Sequence, residues 1–204
     1  MPAPSGAAEP ARTTPAVVLI GPPAAGKSRL GRRLSRLLDL PLIDTDRLVV
    51  EAHGPIPQIF AEHGEPVFRA WERKAVAAAL EQRAVVSLGG GAVLDPATQQ
   101  QLAGLPVVLL TLSAEAAAAR LDGSSRPLAG GVEAWTALVA ARTPLYERLA
   151  TASWDTSRRP LDRIAQEIAD WATARDADPA AARTTTRITD RSSDPAVEPR
   201  EDSP

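Results

Sequence analysis

Short apolar runs alternate along the chain with longer segments in which apolar residues recur every three or four positions. Such runs are typical of buried strands, and the longer periodicity is typical of amphipathic helices. The runs predict strands at residues 16–20, 40–44, 84–88 and 107–112, with a short last strand at 154–156. The periodic segments predict one helix directly after the first strand and others at 56–82, with a break near Gly64, and at 96–103, 114–121, 132–149 and 160–171.

The alternation of strands with helices predicts a three-layer α/β fold. Consecutive strands that are joined by helices run parallel, and their right-handed crossovers place helices on both faces of one sheet. Ligands of such sheets bind beyond the carboxyl ends of the strands. Functional side chains are therefore expected where each predicted strand ends.

The two ends of the chain differ in composition from its centre. Residues 1–14 are rich in Ala, Pro, Ser and Thr, and residues 173–204 mix charges with proline and contain few large apolar side chains. Neither segment can bury enough apolar surface to offset the entropy of ordering, so both are predicted to be disordered. One folded domain is expected at residues 15–172, because this length suits a single core.

A phosphate-binding sequence follows the first predicted strand. Residues 21–28 read Gly-Pro-Pro-Ala-Ala-Gly-Lys-Ser, which matches the P-loop pattern G-x-x-x-x-G-K-[ST] between a strand and a helix. In that context the loop N–H groups and the helix start hold phosphates, Lys27 reaches the β- and γ-phosphates, and Ser28 ligates Mg²⁺. The order of strand, loop and helix favours ATP-dependent phosphoryl transfer over a chance match in a chain rich in Gly and Ala.

Charge and cysteine content exclude several other classes of protein. The net charge is −2, with acidic and basic residues mixed throughout, so neither a nucleic acid nor a membrane surface is expected as the main partner. The absence of cysteine excludes disulfides, thiolate metal sites and cysteine nucleophiles. The longest apolar stretches have strand length, and the first residues do not read as a signal peptide, so we expect a cytoplasmic protein.

Two further strand ends carry candidate chemistry. The second strand ends in Asp44-Thr45-Asp46, and if this segment is extended both carboxylates face the ligand crevice. Near a P-loop, one can hold the metal through water while the other accepts a hydrogen bond from the attacking hydroxyl; the alternative is that Asp44 caps the next helix. The third strand ends in the run 89–91, Gly-Gly-Gly, whose bare backbone suits close contact with a substrate.

Arginines are abundant, and three of them stand at informative places. Arg69 follows Phe68, Arg142 precedes Thr143-Pro144, and Arg126 lies in the Gly/Ser/Pro-rich segment 122–131. A glycine-rich segment between helices is suited to close over a phosphate, and a guanidinium there can offset charge on the moving phosphoryl group. This segment is therefore predicted to be a mobile lid.

Taken together, these motifs resemble those of the shikimate kinases. The matching residues lie in order at 21–28, 44–46, 68–72, 87–91, 126–128, 142–146 and 155–159, which spans most of the predicted domain. The resemblance implies a nucleoside-monophosphate-kinase-like fold with a five-stranded parallel sheet. It also implies transfer of the γ-phosphoryl group of ATP, with Mg²⁺, to the 3-hydroxyl of shikimate by a monomeric enzyme.

The resemblance also implies a role for individual residues. ATP would be bound by Gly21, Ala24, Ala25, Gly26, Lys27, Ser28, Arg29, Arg126 and Arg159, and the metal by Ser28 with Asp44 through water. Shikimate would be bound by Asp46, Arg69, Gly89, Gly90, Gly91 and Arg142. Catalysis would rest on Lys27, Asp46 and Arg126. Arg69 and Arg142 would clamp the carboxylate, for which a planar guanidinium suits better than an ammonium group.

Two loop positions depart from the family pattern, since Ala24 replaces a glycine and Arg29 replaces a threonine, and two alternatives stay open. Ala24 stands where the family usually has glycine, which costs on the order of 1 kcal/mol if the backbone there needs a positive φ. The first alternative is another small-metabolite kinase of this fold, such as a gluconate kinase. The second is a non-catalytic nucleotide-binding paralogue.

Overall fold

The computed structural model describes residues 14–122, 131–178 and 186–187. Arg126, most of the predicted lid and most of both predicted disordered segments lie outside these ranges. The described strands are β1 (Val17–Ile20), β2 (Leu42–Asp44), β3 (Val85–Ser87), β4 (Val107–Thr111), β5 (Ala152–Asp155) and β6 (Thr186–Arg187). The described helices are α1 (Lys27–Leu38), α2 (Thr45–His53), α3 (Ile56–Leu80), α4 (Pro96–Gln101), α5 (Ala114–Asp122), α6 (Gly131–Leu149) and α7 (Leu161–Ala177).

The strands form one parallel sheet in the order β2-β3-β1-β4-β5-β6. The central strand β1 pairs with β3 on one side and with β4 on the other, with Val18 opposite Val86 and Val107. The five expected parallel strands are confirmed, and the two residues of β6 extend the sheet beside β5. This order brings the ends of β1, β2 and β3 to one edge, where the P-loop begins.

The core lies on both faces of the sheet, as a three-layer fold requires. Val17 and Leu19 pack in one buried cluster with residues of α1 and α7, whereas Val18 and Ile20 pack on the other face with residues of α3. This alternation follows from the two-residue period of a strand. Helix α6 contributes to both clusters, because Trp135 belongs to the first and Tyr146 to the second.

One predicted helical feature is confirmed, and two others differ from the sequence pattern. The break near Gly64 is confirmed, since that residue has φ 77° and ψ 166° within α3. Helix α2 was not predicted. Helix α7 continues to Ala177, beyond the expected end at residue 171, because alanine favours helix and Ala172 is buried against the core.

None of the helices in the described parts of the chain combines the length and the apolar composition that crossing a membrane requires.

Candidate active site

The loop between β1 and α1 takes the backbone conformations that a P-loop needs. Gly21 has φ 137°, and a Cβ there would lie 2.4 Å from the Leu110 carbonyl oxygen, so only glycine fits. Gly26 has φ 88° and stands at the N-terminus of α1 without a side-chain cap. Ala24 also has a positive φ, of 65°. The loop thus leaves the N–H groups at the start of α1 available to bind an anion.

A cavity of about 510 Å³ opens beyond the ends of β1, β2 and β3. It is lined by Pro23, Ala24, Gly26, Lys27, Ser28, Arg29, Asp44, Asp46, Ser87, Leu88, Gly90, Arg120 and Leu121. The P-loop, the carboxylate pair and the middle residue of the glycine run therefore meet in one space. The volume is in the range of pockets that hold small-molecule ligands.

Lys27 is partly buried and lines this cavity. Its Nζ donates hydrogen bonds to the carbonyl oxygens of Gly21 at 2.7 Å and Pro22 at 3.1 Å. Burial lowers the pKa of Lys27 to about 8, while the charges of Asp46 and Asp44 oppose this shift and the charge of Arg142 adds to it. The two carboxylates thus favour the charged ammonium form of Lys27, which is the form that can bind a phosphate.

Asp44 has two hydrogen-bonded partners at the end of β2. Its Oδ2 accepts a hydrogen bond from Ser28 Oγ at 2.5 Å, and its Oδ1 accepts one from the Arg47 N–H at 3.3 Å, which caps α2. The predicted extended path through 44–46 is wrong, because Thr45 already begins α2 and Asp46 lies in its first turn. Both carboxylates nevertheless line the cavity.

The glycine run lies close to three charged side chains, those of Asp46, Glu72 and Arg69. A Cβ on Gly89 would lie 2.3 Å from Asp46 Oδ1 and 2.8 Å from Glu72 Oε1, and one on Gly91 would lie 2.7 Å from Arg69 Nη1. At Gly90 a Cβ would make only ordinary contacts, with Pro23 at 3.5 Å and the Gly21 carbonyl oxygen at 3.8 Å. The absent side chains of the outer two glycines therefore leave room for Asp46 and Arg69.

The two arginines expected to bind a carboxylate approach neighbouring glycines. Arg69 packs against Gly91 and donates to Glu72 at 2.7 Å and to Glu65 at 3.0 Å. Arg142 donates to the Gly90 carbonyl oxygen at 3.1 Å. Glu72 is buried, which raises its pKa, and its bond to Arg69 counteracts that rise.

Arg159 does not line the cavity. Its guanidinium is bound to Glu167, whose other oxygen accepts a hydrogen bond from Trp154 Nε1 at 3.1 Å. Arg126, the third predicted catalytic residue, lies outside the described residues.

Sequence reasoning missed two side chains that hold the P-loop. Arg120 lines the cavity and donates to the Ala24 carbonyl oxygen at 3.1 Å, and Trp135 Nε1 donates to the Pro23 carbonyl oxygen at 3.0 Å. Burial lowers the pKa of Arg120, and the charge of nearby Arg29 adds to the shift. Neither residue carries a local sequence signal, because their partners lie 96 and 112 positions away along the chain.

Comparisons with known proteins point to one family. A family model described as "Shikimate kinase" matches residues 23–173. The shikimate kinase of Mycobacterium avium (strain 104) is 44% identical over 169 residues, which covers 80% of this chain and 96% of that protein. The shikimate kinase of Rhodococcus jostii (strain RHA1) is 42% identical over 160 residues, which covers 76% of this chain and 95% of that protein.

A solved structure is similar over the same part of the chain. It is the shikimate kinase from Acinetobacter baumannii in complex with shikimate, with a TM-score of 0.71 and 27% sequence identity. The similarity covers 79% of this chain and 93% of that one.

Proposed function

Because the chain belongs to the shikimate kinase family, we propose that it transfers the γ-phosphoryl group of ATP to the 3-hydroxyl of shikimate, giving shikimate 3-phosphate and ADP. The observation that carries this proposal is a single cavity in which Lys27 and Ser28 of the P-loop meet Asp44 and Asp46. Phosphoryl transfer to a hydroxyl depends on positioning and on charge compensation, and a phosphate loop beside carboxylates can supply both.

The nucleotide half of the site is built from the P-loop and two arginines. The loop N–H groups and the start of α1 would hold the β-phosphate. Lys27 would exchange its bonds to the Gly21 and Pro22 carbonyls for the β- and γ-phosphates. Arg29 and Arg120 line the same cavity and repel each other, and an anionic nucleotide between them would reduce this repulsion. We assign Arg126 to the phosphates and Arg159 to the adenine side.

The residues for the metal are Ser28 and Asp44. A hydroxyl and a carboxylate are hard oxygen ligands, their oxygens lie 2.5 Å apart at the cavity wall, and Mg²⁺ takes few protein ligands beside phosphate oxygens and water. When bound, Mg²⁺ neutralises negative charge on the β- and γ-phosphates. Asp44 would act through water, because its Oδ1 also caps α2.

The acceptor half lies at the glycine run. Arg69 and Arg142 reach the adjacent residues Gly91 and Gly90, so their guanidiniums are suited to clamp one carboxylate between them. The N–H of Gly90 would donate to the same ligand. This pair of cations supports an acceptor that carries a carboxylate, and the choice of shikimate over gluconate, which is also a carboxylate, rests on the family.

Asp46 would orient and deprotonate the attacking hydroxyl. The 3-oxygen forms its bond to the γ-phosphorus while the bond between that phosphorus and the bridging oxygen of ADP breaks, and the hydroxyl proton passes to the Asp46 carboxylate. Lys27, close enough for its pKa to depend on Asp46, would offset charge on the transferred group. A monomeric state and a cytoplasmic location stay predictions.

A coupled assay of ADP release tests the proposal. Purified protein with ATP and Mg²⁺ is offered shikimate, gluconate or a nucleoside monophosphate as acceptor. We expect turnover on shikimate alone. Turnover on gluconate without turnover on shikimate would contradict the proposal, and nucleotide binding without turnover on any acceptor would favour a non-catalytic paralogue.

A further inference from the structure

Three consecutive carbonyl oxygens of the P-loop are bound by side chains from outside the loop. The Pro23 oxygen accepts from Trp135 Nε1 at 3.0 Å, and the Ala24 oxygen accepts from Arg120 Nη1 at 3.1 Å. The Thr156 hydroxyl lies 3.0 Å from both the Ala25 and the Thr111 carbonyl oxygens, and it shares its one hydrogen between them. These donors come from α6, from α5 and from the segment after β5, so the loop is tied to three separate elements.

The tied residues surround the one loop position with an unfavourable backbone. Ala24 has φ 65°, a left-handed conformation that a side chain disfavours and that glycine adopts freely. The two peptide groups that flank the Ala24 Cα carry the carbonyl oxygens of Pro23 and Ala24, which are the two oxygens bound by Trp135 and Arg120. Holding both carbonyl oxygens in place holds the φ and ψ of Ala24, and alanine alone would not keep this left-handed conformation.

We infer that Trp135 is a positioning residue of the P-loop, which keeps Ala24 left-handed and so preserves the loop's phosphate-binding shape. Trp135 is 2% exposed, so its indole N–H has no access to bulk water as an alternative partner. The inference rests on the proposed function in taking a nucleotide phosphate as the ligand of this loop and shikimate as the ligand of the acceptor side.

The position of Trp135 on α6 also links the two halves of the site. Arg142 and Tyr146 on the same helix donate to the Gly90 carbonyl oxygen, at 3.1 Å and 2.7 Å. Helix α6 therefore fixes the nucleotide loop through Trp135 and the acceptor platform through the other two side chains. Loss of the indole N–H alone should therefore weaken the binding of the nucleotide and leave the binding of the acceptor unchanged.

The test measures dissociation constants of Mg-ATP and of shikimate separately by titration calorimetry, together with thermal stability. Trp135→Phe keeps an aromatic ring and removes the N–H, so we expect the Kd for Mg-ATP to rise about fivefold. The Kd for shikimate should change less than about twofold. Trp171→Phe, on α7, is the matched control and should change neither constant by more than that.

A second substitution tests the part played by Ala24. Ala24→Gly removes the steric cost of positive φ, so in combination with Trp135→Phe it should recover at least half of the lost ATP affinity. An equal effect of Trp135→Phe on both ligands, or an ATP loss that Ala24→Gly leaves unchanged, would overturn the inference. Binding of Mg-ATP is measured without turnover, so a failure of the proposed reaction would be seen separately.

If Trp135→Phe does not fold, Thr156→Val provides the alternative test. It removes the donor to the Ala25 carbonyl at nearly constant volume, and the Kd for Mg-ATP must then rise more than the Kd for shikimate. Equal changes in both constants would overturn the inference.

Discussion

Replacement of Gly89 by alanine should damage catalysis through a single steric contact. The φ of Gly89 lies outside the left-handed region, so alanine introduces no backbone strain there. Its Cβ would lie 2.3 Å from Asp46 Oδ1, whereas ordinary contact begins at 3.4 Å, so the Asp46 carboxylate must recede by about 1 Å. The buried Glu72 oxygen, 2.8 Å from the same Cβ, limits the space for other adjustments.

A displacement of this size has a large expected effect on the chemical step. Misplacing a reacting group by about 1 Å can cost roughly 100-fold in rate, so Gly89→Ala should lower kcat about 100-fold in the ADP-release assay. The KM for ATP should stay within about twofold, because the new methyl group does not touch the P-loop. Overpacking should also lower the free energy of unfolding by about 1–3 kcal/mol, measured by urea denaturation.

Gly90→Ala is the matched control within the same run. Its Cβ would make ordinary contacts with Pro23 at 3.5 Å and the Gly21 carbonyl oxygen at 3.8 Å, and the variant keeps the N–H, so kcat should stay within about threefold of the unmodified protein. If Gly89→Ala and Gly90→Ala lowered kcat equally, the steric account of Asp46 would be refuted.

Three further predictions concern neighbouring groups. Gly91→Ala would place a Cβ 2.7 Å from Arg69 Nη1 and displace the clamp, so the KM for shikimate should rise more than the KM for ATP; equal rises in the two would count against the clamp. Tyr146→Phe removes the 2.7 Å bond to the Gly90 carbonyl and should lower the free energy of unfolding by about 1 kcal/mol in urea, whereas no change would mean that the bond is not formed in solution. Lys27 has its pKa lowered to about 8, and the phosphate-binding ammonium form is lost as pH rises through that value. The kcat/KM for ATP should therefore fall about tenfold per pH unit above it, and a flat profile would contradict the assigned environment of Lys27.

The elements that the sequence predicted well are those with strong local signals. The apolar runs located β1, β3 and β4 within one residue at either end, because strands buried on both faces are apolar throughout. Helix α2 was missed since it is short and begins immediately after β2. Its one clear signal was Asp44, whose side chain caps the helix as the alternative prediction for this residue had it.

The side chains that hold the P-loop could not be predicted from local pattern. Arg120 stands in the last turn of an alanine-rich helix, where arginine is ordinarily a solvated charge that complements the helix dipole. Trp135 reads as a core residue, and its hydrogen bond depends on how α6 crosses the sheet edge. Such contacts are set by tertiary packing, whereas the P-loop itself was recognisable because its chemistry is contained in eight adjacent residues.

The central claim is phosphoryl transfer to shikimate with Asp46 as the base. Phosphorus NMR of a reaction containing ATP, Mg²⁺ and shikimate tests it most directly, with Asp46→Asn in parallel. We predict a new phosphomonoester coupled to the proton on carbon 3 of shikimate, formed together with ADP, and its near absence with Asp46→Asn although Mg-ATP still binds. Release of inorganic phosphate without a phosphomonoester, or undiminished product formation by Asp46→Asn, would contradict the account.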